Sequence, residues 1–138
     1  MYYRDSQGRE PVNQWLEALL VAKPAAVAKI DDFMQEHLNS RRADAPPPEF
    51  PITSQIDGGL RELRVRFANT RYRLLYQRSG NLLVLLHGLE KHTGAVPAAD
   101  LQIAQRRFAN FKTRMDAAQR ERPRAAGHDA PSRRGLEL

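Results

Sequence analysis

Between Gly59 and His92 the chain carries three short apolar runs, LRELRVRF, YRLLYQ and LLVLLH, separated by ANTR and SG. This spacing predicts three consecutive strands joined by tight turns. Successive side chains of a strand face opposite ways. Leu63, Val65 and Phe67 then share one face, and Glu62, Arg64 and Arg66 the other. In the second run Tyr72, Leu74 and Tyr76 line one face, and Arg71, Arg73 and Leu75 the reverse. A hairpin closed symmetrically about Asn69 and Thr70 pairs Phe67 with Tyr72, Val65 with Leu74 and Leu63 with Tyr76. The same register sets Arg66 opposite Arg73, with Arg64 one step away. A symmetric second turn about Gly80 and Asn81 puts His87 opposite Leu74, on the apolar face, as a satisfied core histidine.

The flanking segments change period. Met1 to Arg4 predicts a short opening strand, DSQGRE a turn, and Pro11 the first position of a helix. Val12, Trp15, Leu16, Leu19 and Leu20 recur at helical spacing. Lys23-Pro24 ends that helix and starts a second, on which Val27, Ile30, Met34 and Leu38 form a stripe beside Phe33. The expectation is an antiparallel helical pair on the apolar face of the sheet, with Trp15 and Phe33 in the core and Asp31-Asp32 on a solvated face. Residues 39–58 predict a connector. In it Pro46 to Pro48 favour extended polyproline geometry, Phe50 and Ile52 tack the end to the core, and Gly58-Gly59 turns into the first strand. The loop GLEKHTGAV leads to Pro97 and a last helix, on which Leu101, Ala104, Phe108, Phe111 and Met115 form a stripe for the core or for a partner. Residues 117–138, with five arginines, three acids and almost no large apolar side chain, predict a disordered basic tail. Residues 1–116 remain as one domain.

Composition narrows the setting. The chain of 138 residues has no cysteine, so neither a disulfide framework nor a thiolate metal site is available, and the cytoplasm is the expected compartment. No secretory h-region opens the chain, and the longest apolar run, Leu82 to Leu86, is too short to span a membrane. The net charge is +6, and between residues 60 and 80 six arginines stand against one acid, Glu62. Like charges directly opposite each other destabilise a hairpin. A face that collects them points to an anionic partner, either nucleic acid or an acidic protein. There is no glycine-rich phosphate loop and no metal-ligand cluster, since His37, His87, His92 and His128 are scattered.

If the anion is an RNA phosphate, arginine serves as a permanent charge and as a planar two-pronged donor. Cleavage without metal needs a base for the ribose 2′-OH, an acid for the leaving 5′-oxygen and cations for the phosphorane. Arg64, Arg66 and Arg73 fit the cationic role but not the base, because guanidinium keeps its proton. The loop after the third strand offers Lys91 and His92, and a histidine titrates nearest neutrality.

The run GLRELRVRF, then YRLLY, then LLVLLHGLEKHTGAVP and a helix carrying IAQRRF, resembles the RelE/HigB superfamily of bacterial toxins, and most of all its phage-derived HigB-like branch. The resemblance covers Met1 to Phe111. It implies a compact α+β domain, with an N-terminal helical pair on a small twisted, mainly antiparallel sheet and a C-terminal helix. It implies a cofactor-free, metal-independent endoribonuclease that cuts mRNA on the ribosome and is neutralised by a helix-turn-helix, HigA-like antitoxin. Carried over, the basic pair of the first long strand falls on Arg64 and Arg66, and the arginine of the YR-hydrophobic-hydrophobic-Y motif on Arg73. The basic loop falls on Lys91, His92 and Thr93. Arg73, Arg66, Lys91 and His92 are then the expected catalytic set, with Arg64, Arg61 and Arg71 as RNA contacts. Leu89 replaces the usual aromatic of the turn, Glu90 precedes the lysine, and no tyrosine follows Tyr76 to match the C-terminal tyrosine of RelE. Two rivals share these residues: a catalytically silent RNA- or ribosome-binding module, and an interaction protein whose arginine face receives an acidic partner helix.

Overall fold

Two helices, α1 (Pro11–Ala22) and α2 (Pro24–Met34), are separated by Lys23 alone, and each has proline in its first turn. Proline suits that position because its missing N–H is one the helix leaves unpaired anyway. Lys23 serves both helices: its N–H donates to the Leu19 carbonyl at 2.7 Å, and its carbonyl accepts from Val27 N–H at 3.2 Å. Past Met34 the chain widens into a π-helical turn, Gln35–Asn39, that keeps Leu38 buried. These details come from a computed structural model that describes residues 1–39, 52–91 and 94–116. The prolines 46–48, Phe50, His92, Thr93 and the tail 117–138 lie outside the described residues.

Of the expected helical stripes, Val12, Leu16, Val27, Ile30, Met34 and Leu38 are buried, while Trp15, Leu19 and Phe33 are half-buried and pack against them. Asp31 is a correction. It is buried while Asp32 is exposed, because helical spacing puts Asp31 on the face of Val27 and Met34.

The sheet has four antiparallel strands in sequence order: β1 (Thr53–Asp57), β2 (Leu60–Phe67), β3 (Thr70–Ser79) and β4 (Leu82–Lys91). Strand β1 falls in the stretch expected to be a connector. Its sequence, TSQID, is short and mostly polar, so it shows no apolar alternation. The opening residues make one parallel bridge, Tyr2 with Leu85, held by Tyr3 N–H to Leu85 O and Leu85 N–H to Met1 O, both 2.8 Å.

The first hairpin turns one residue earlier than the symmetric closure, across Ala68 and Asn69. Val65 therefore faces Tyr72, Leu63 faces Leu74, Arg64 faces Arg73 and Arg66 faces Arg71. The register slides by two residues, which leaves every side chain on its expected face. Ala68, at φ 54°, takes the left-handed conformation that a two-residue hairpin turn demands.

In β4, Leu75 pairs with His87 but Tyr76 with Leu85, so Leu86 is one extra residue. Such a bulge reverses the alternation beyond it. His87 consequently lies on the second face of the sheet, opposite Leu75, and not in the core under the helical pair. Gly88 takes the inward position beneath Trp15. A Cβ there would lie 2.4 Å from Trp15 Cε3, so only glycine fits. The strand also continues to Lys91, which places Leu89 to Lys91 in the sheet and not in a loop.

Helix α3 (Ala98–Asp116) packs on the face opposite α1 and α2, so the sheet is covered on both sides. One cluster joins Leu16, Ile30 and Met34 to Leu63, Val65, Tyr72 and Leu74. The other joins Ala104 and Phe111 of α3 to Leu60, Leu75, Val84 and Leu86. The α3 stripe is therefore core. The architecture is the expected α+β fold, consistent with a RelE-like domain. No helix among the described residues is long and apolar enough to cross a membrane.

Candidate functional site

On the face shared with α3, the apolar cluster ends at Leu75 and Leu89. Toward the Ala68-Asn69 turn the same face carries Glu62, Arg64, Arg66, Arg71 and Arg73, fixed there by strand alternation. Lys91 is the register partner of Arg71.

Arg73 sits at the centre of this group and is only 4% exposed. Its Nη1 lies 2.8 Å from Glu62 Oε1 and 2.9 Å from Oε2. Arg64 Nε is 3.9 Å from the same carboxylate, which is itself buried. The repulsion expected between facing Arg64 and Arg73 is thus offset inside the chain. Strand alternation alone puts Arg73 on the face turned from the helical pair. Burial and the ion pair with Glu62 give it a structural role as well. Arg66, by contrast, is exposed, and Arg71 is half-buried.

Arg61 does not join them. It shares the parity of Leu63 and Val65, lies on the helical-pair face, and donates from Nη2 to Thr53 Oγ1 at 2.8 Å. Glu90 is likewise turned away from the arginines. The bulge gives it the parity of Gly88, and it meets Lys23 Nζ at 3.8 Å. The acid that breaks the basic loop pattern therefore pairs at the junction of α1 and α2.

Sequence reasoning missed two contributors from α2. Lys29 Nζ donates to the Arg66 carbonyl and stands 5.8 Å from the centre of the Phe33 ring. The last contact between the β1 side and β2 is Arg64 N–H to Ile52 O, 2.8 Å. Past it, no strand among the described residues pairs with the edge of β2 that faces away from β3. A cleft of about 470 Å³ opens there. Lys29, Arg64, Arg66, Arg71 and Arg73 line it, Phe33 and Ile52 supply apolar wall, and no carboxylate is among its described lining residues. Low-dielectric walls around like charges focus the field and concentrate anions. The available signal was Lys29 one helical turn before Phe33, at the edge of the apolar stripe.

His87 borders the arginine face from the α3 side. Its Nε2 donates to Asp100 Oδ1 at 2.6 Å, and Arg107 Nη1 lies 3.4 Å from Nδ1 while donating to Leu86 O at 2.7 Å. Because a carboxylate only accepts, this network assigns the proton to Nε2. Both ring nitrogens are engaged, so His87 ties β4 to the start of α3.

The assembled site can hold an anion through several arginine forks, one of them immobilised by Glu62. Lys91 stands at the register position opposite Arg71, and His92 lies outside the described residues. No curated protein matches the chain. The family model described as Phage derived protein Gp49-like (DUF891) matches residues 15–109, more than half of the chain, so the chain belongs to that family, one of the RelE toxin-like group.

Proposed function

We propose that this protein is the toxin of a type II toxin–antitoxin pair, of the HigB-like branch, and cuts mRNA on the ribosome. The observation that carries the reading is the cleft at the open edge of β2, where basic side chains of two strands and a helix converge and no carboxylate is among the described lining residues. Arg64, Arg66 and Arg71 hold the scissile phosphate, and Arg73, oriented by Glu62, supplies fixed positive charge beneath it. The ribose 2′-oxygen attacks phosphorus as His92 or Lys91 accepts its proton. The bond to the 5′-oxygen breaks and that oxygen takes a proton from the other group, leaving a 2′,3′-cyclic phosphate and a 5′-hydroxyl. Cations aimed at the phosphorane are the main stabilising element in such a site. The inhibitory partner is a helix-turn-helix antitoxin, and the working compartment the cytoplasm.

The test is induced expression of the chain alone in a bacterium, with mapping of mRNA 5′ ends beside growth. Growth arrest with new ends inside translated frames, both lost in Arg66→Ala, supports the nuclease. The commitment of Arg73 to Glu62 favours a second reading, a catalytically silent binding module, for which arrest would come with intact mRNA. A folded chain that causes neither arrest nor cleavage, and binds no ribosomes, would overturn both.

A further inference from the structure

The cleft beside β2 has more than charge. Phosphate binding alone needs cations and backbone N–H groups, and it gains nothing from an aromatic wall. Here Phe33 and Ile52 line the same cleft as Lys29, Arg64 and Arg66. Phe33 is half-buried, packed against the helical-pair core on one side, with the Lys29 ammonium near its ring. An ammonium has three N–H donors, and the Arg66 carbonyl takes one. This pairing of a π-face with basic side chains is the arrangement by which proteins hold single-stranded nucleic acid, stacking a base and tracking its phosphate. The cleft volume, about 470 Å³, lies within the range of small-ligand sites.

We propose that this cleft is a nucleobase subsite for single-stranded RNA, in which Phe33 and Ile52 receive one unstacked base and Lys29 holds its phosphate. The inference rests on the reading of the protein as an RNA-cleaving toxin and deepens it. The base that enters is a neighbour of the scissile phosphate, because Arg64, Arg66 and Arg71 serve both the arginine face and the cleft. The subsite selects for an extruded base and against a duplex, whose bases are stacked and cannot reach Phe33. Phe33 and Lys29 are binding residues, outside the proton-transfer machinery.

The test uses the full chain and a fluorescein-labelled RNA heptamer that is 2′-O-methylated throughout to prevent cleavage. Anisotropy titrations compare it with heptamers carrying one abasic site at each position in turn. One abasic position is expected to weaken wild-type binding roughly tenfold, the scale of a single base–aromatic stack. Phe33→Leu and Phe33→Met, which keep apolar bulk without a π-face, should lose about the same factor on the intact heptamer and nothing further on that abasic one. Lys29→Ala should weaken all heptamers alike and flatten the salt dependence by roughly 0.7 in log–log slope. If no abasic position costs the wild type more than twofold, while Arg66→Ala still weakens binding, the base subsite is overturned and the RNA reading stands. If the wild type ignores RNA but binds poly-glutamate, both fall, in favour of an acidic protein partner.

Discussion

Glu62 and Arg73 form a buried ion pair, with both carboxylate oxygens within 2.9 Å of one guanidinium nitrogen. Removing one member of such a pair strands the other in a low-dielectric site and typically costs several kcal/mol. Arg73→Ala is therefore expected to lower stability by about 3 kcal/mol, read as a fall in the urea midpoint. Glu62→Leu combined with Arg73→Met should recover most of that loss, since the apolar replacement leaves no buried charge unpaired and Arg64, which also meets Glu62, is partly exposed. Loss of toxicity in Arg73→Ala alone would confound folding with chemistry, whereas the double variant separates them.

Gly88 and Trp15 make a steric prediction. A methyl group at position 88 would press on the indole face at 2.4 Å from Cε3. Gly88→Ala should destabilise the fold by about 2 kcal/mol, the usual scale of overpacking. Thermal unfolding would show it as a lower midpoint, and Trp15→Leu in the same chain should restore part of the loss by making room.

Arg66 tests function with little structural cost, because its side chain is exposed. Arg66→Glu should abolish growth arrest and any associated mRNA cleavage, with the unfolding midpoint within about 0.5 kcal/mol of wild type. Arg78→Glu, an equal charge change at an exposed position nearer the other end of β3, should leave arrest largely intact. Equal effects of the two reversals would mean that net charge matters and the arginine face does not.

Asp100 secures the start of α3 through His87. A carboxylate in the first turn also complements the helix dipole. Asp100→Ala should cost about 1 kcal/mol, moderated by partial exposure of the pair. Hydrogen exchange should rise first in the opening turn of α3, with β2 and β3 protected as before.

The alternation of Leu63, Val65, Phe67, Tyr72, Leu74 and Tyr76 made the sheet faces legible, and the heptad-like spacing from Leu101 to Met115 made α3 legible. Both signals are periodic and need no knowledge of neighbours. The register was less legible, because strain at one residue decided it: Ala68 accepts a positive φ and shortens the turn. Strand β1 was hidden because its five residues are stabilised by pairing with β2 and not by an apolar face of their own. At the site, the arginine face was visible as a cluster, but its sorting was not. Arg61 left the group by parity alone, which the alternation already contained. The closure of Glu62 on Arg73 and the arrival of Lys29 beside Arg66 depend on the three-dimensional approach of segments that no local pattern reports.

The extra residue at Leu86 sets the sign of the charge that β4 presents. Drawing Leu86 into the ladder, with every residue kept, would turn the strand over from that point, burying the imidazole of His87 against the helical pair and swinging Glu90 onto the arginine side. Loss of the Leu86 codon would itself leave His87 opposite Leu75 and Glu90 opposite Tyr72, so it is the bulging of that residue, and not its presence, that keeps an acid from where an anion has to bind. A gap at that position among relatives would therefore leave the charge of the face as it is, whereas a residue added or removed between His87 and Glu90 would invert it.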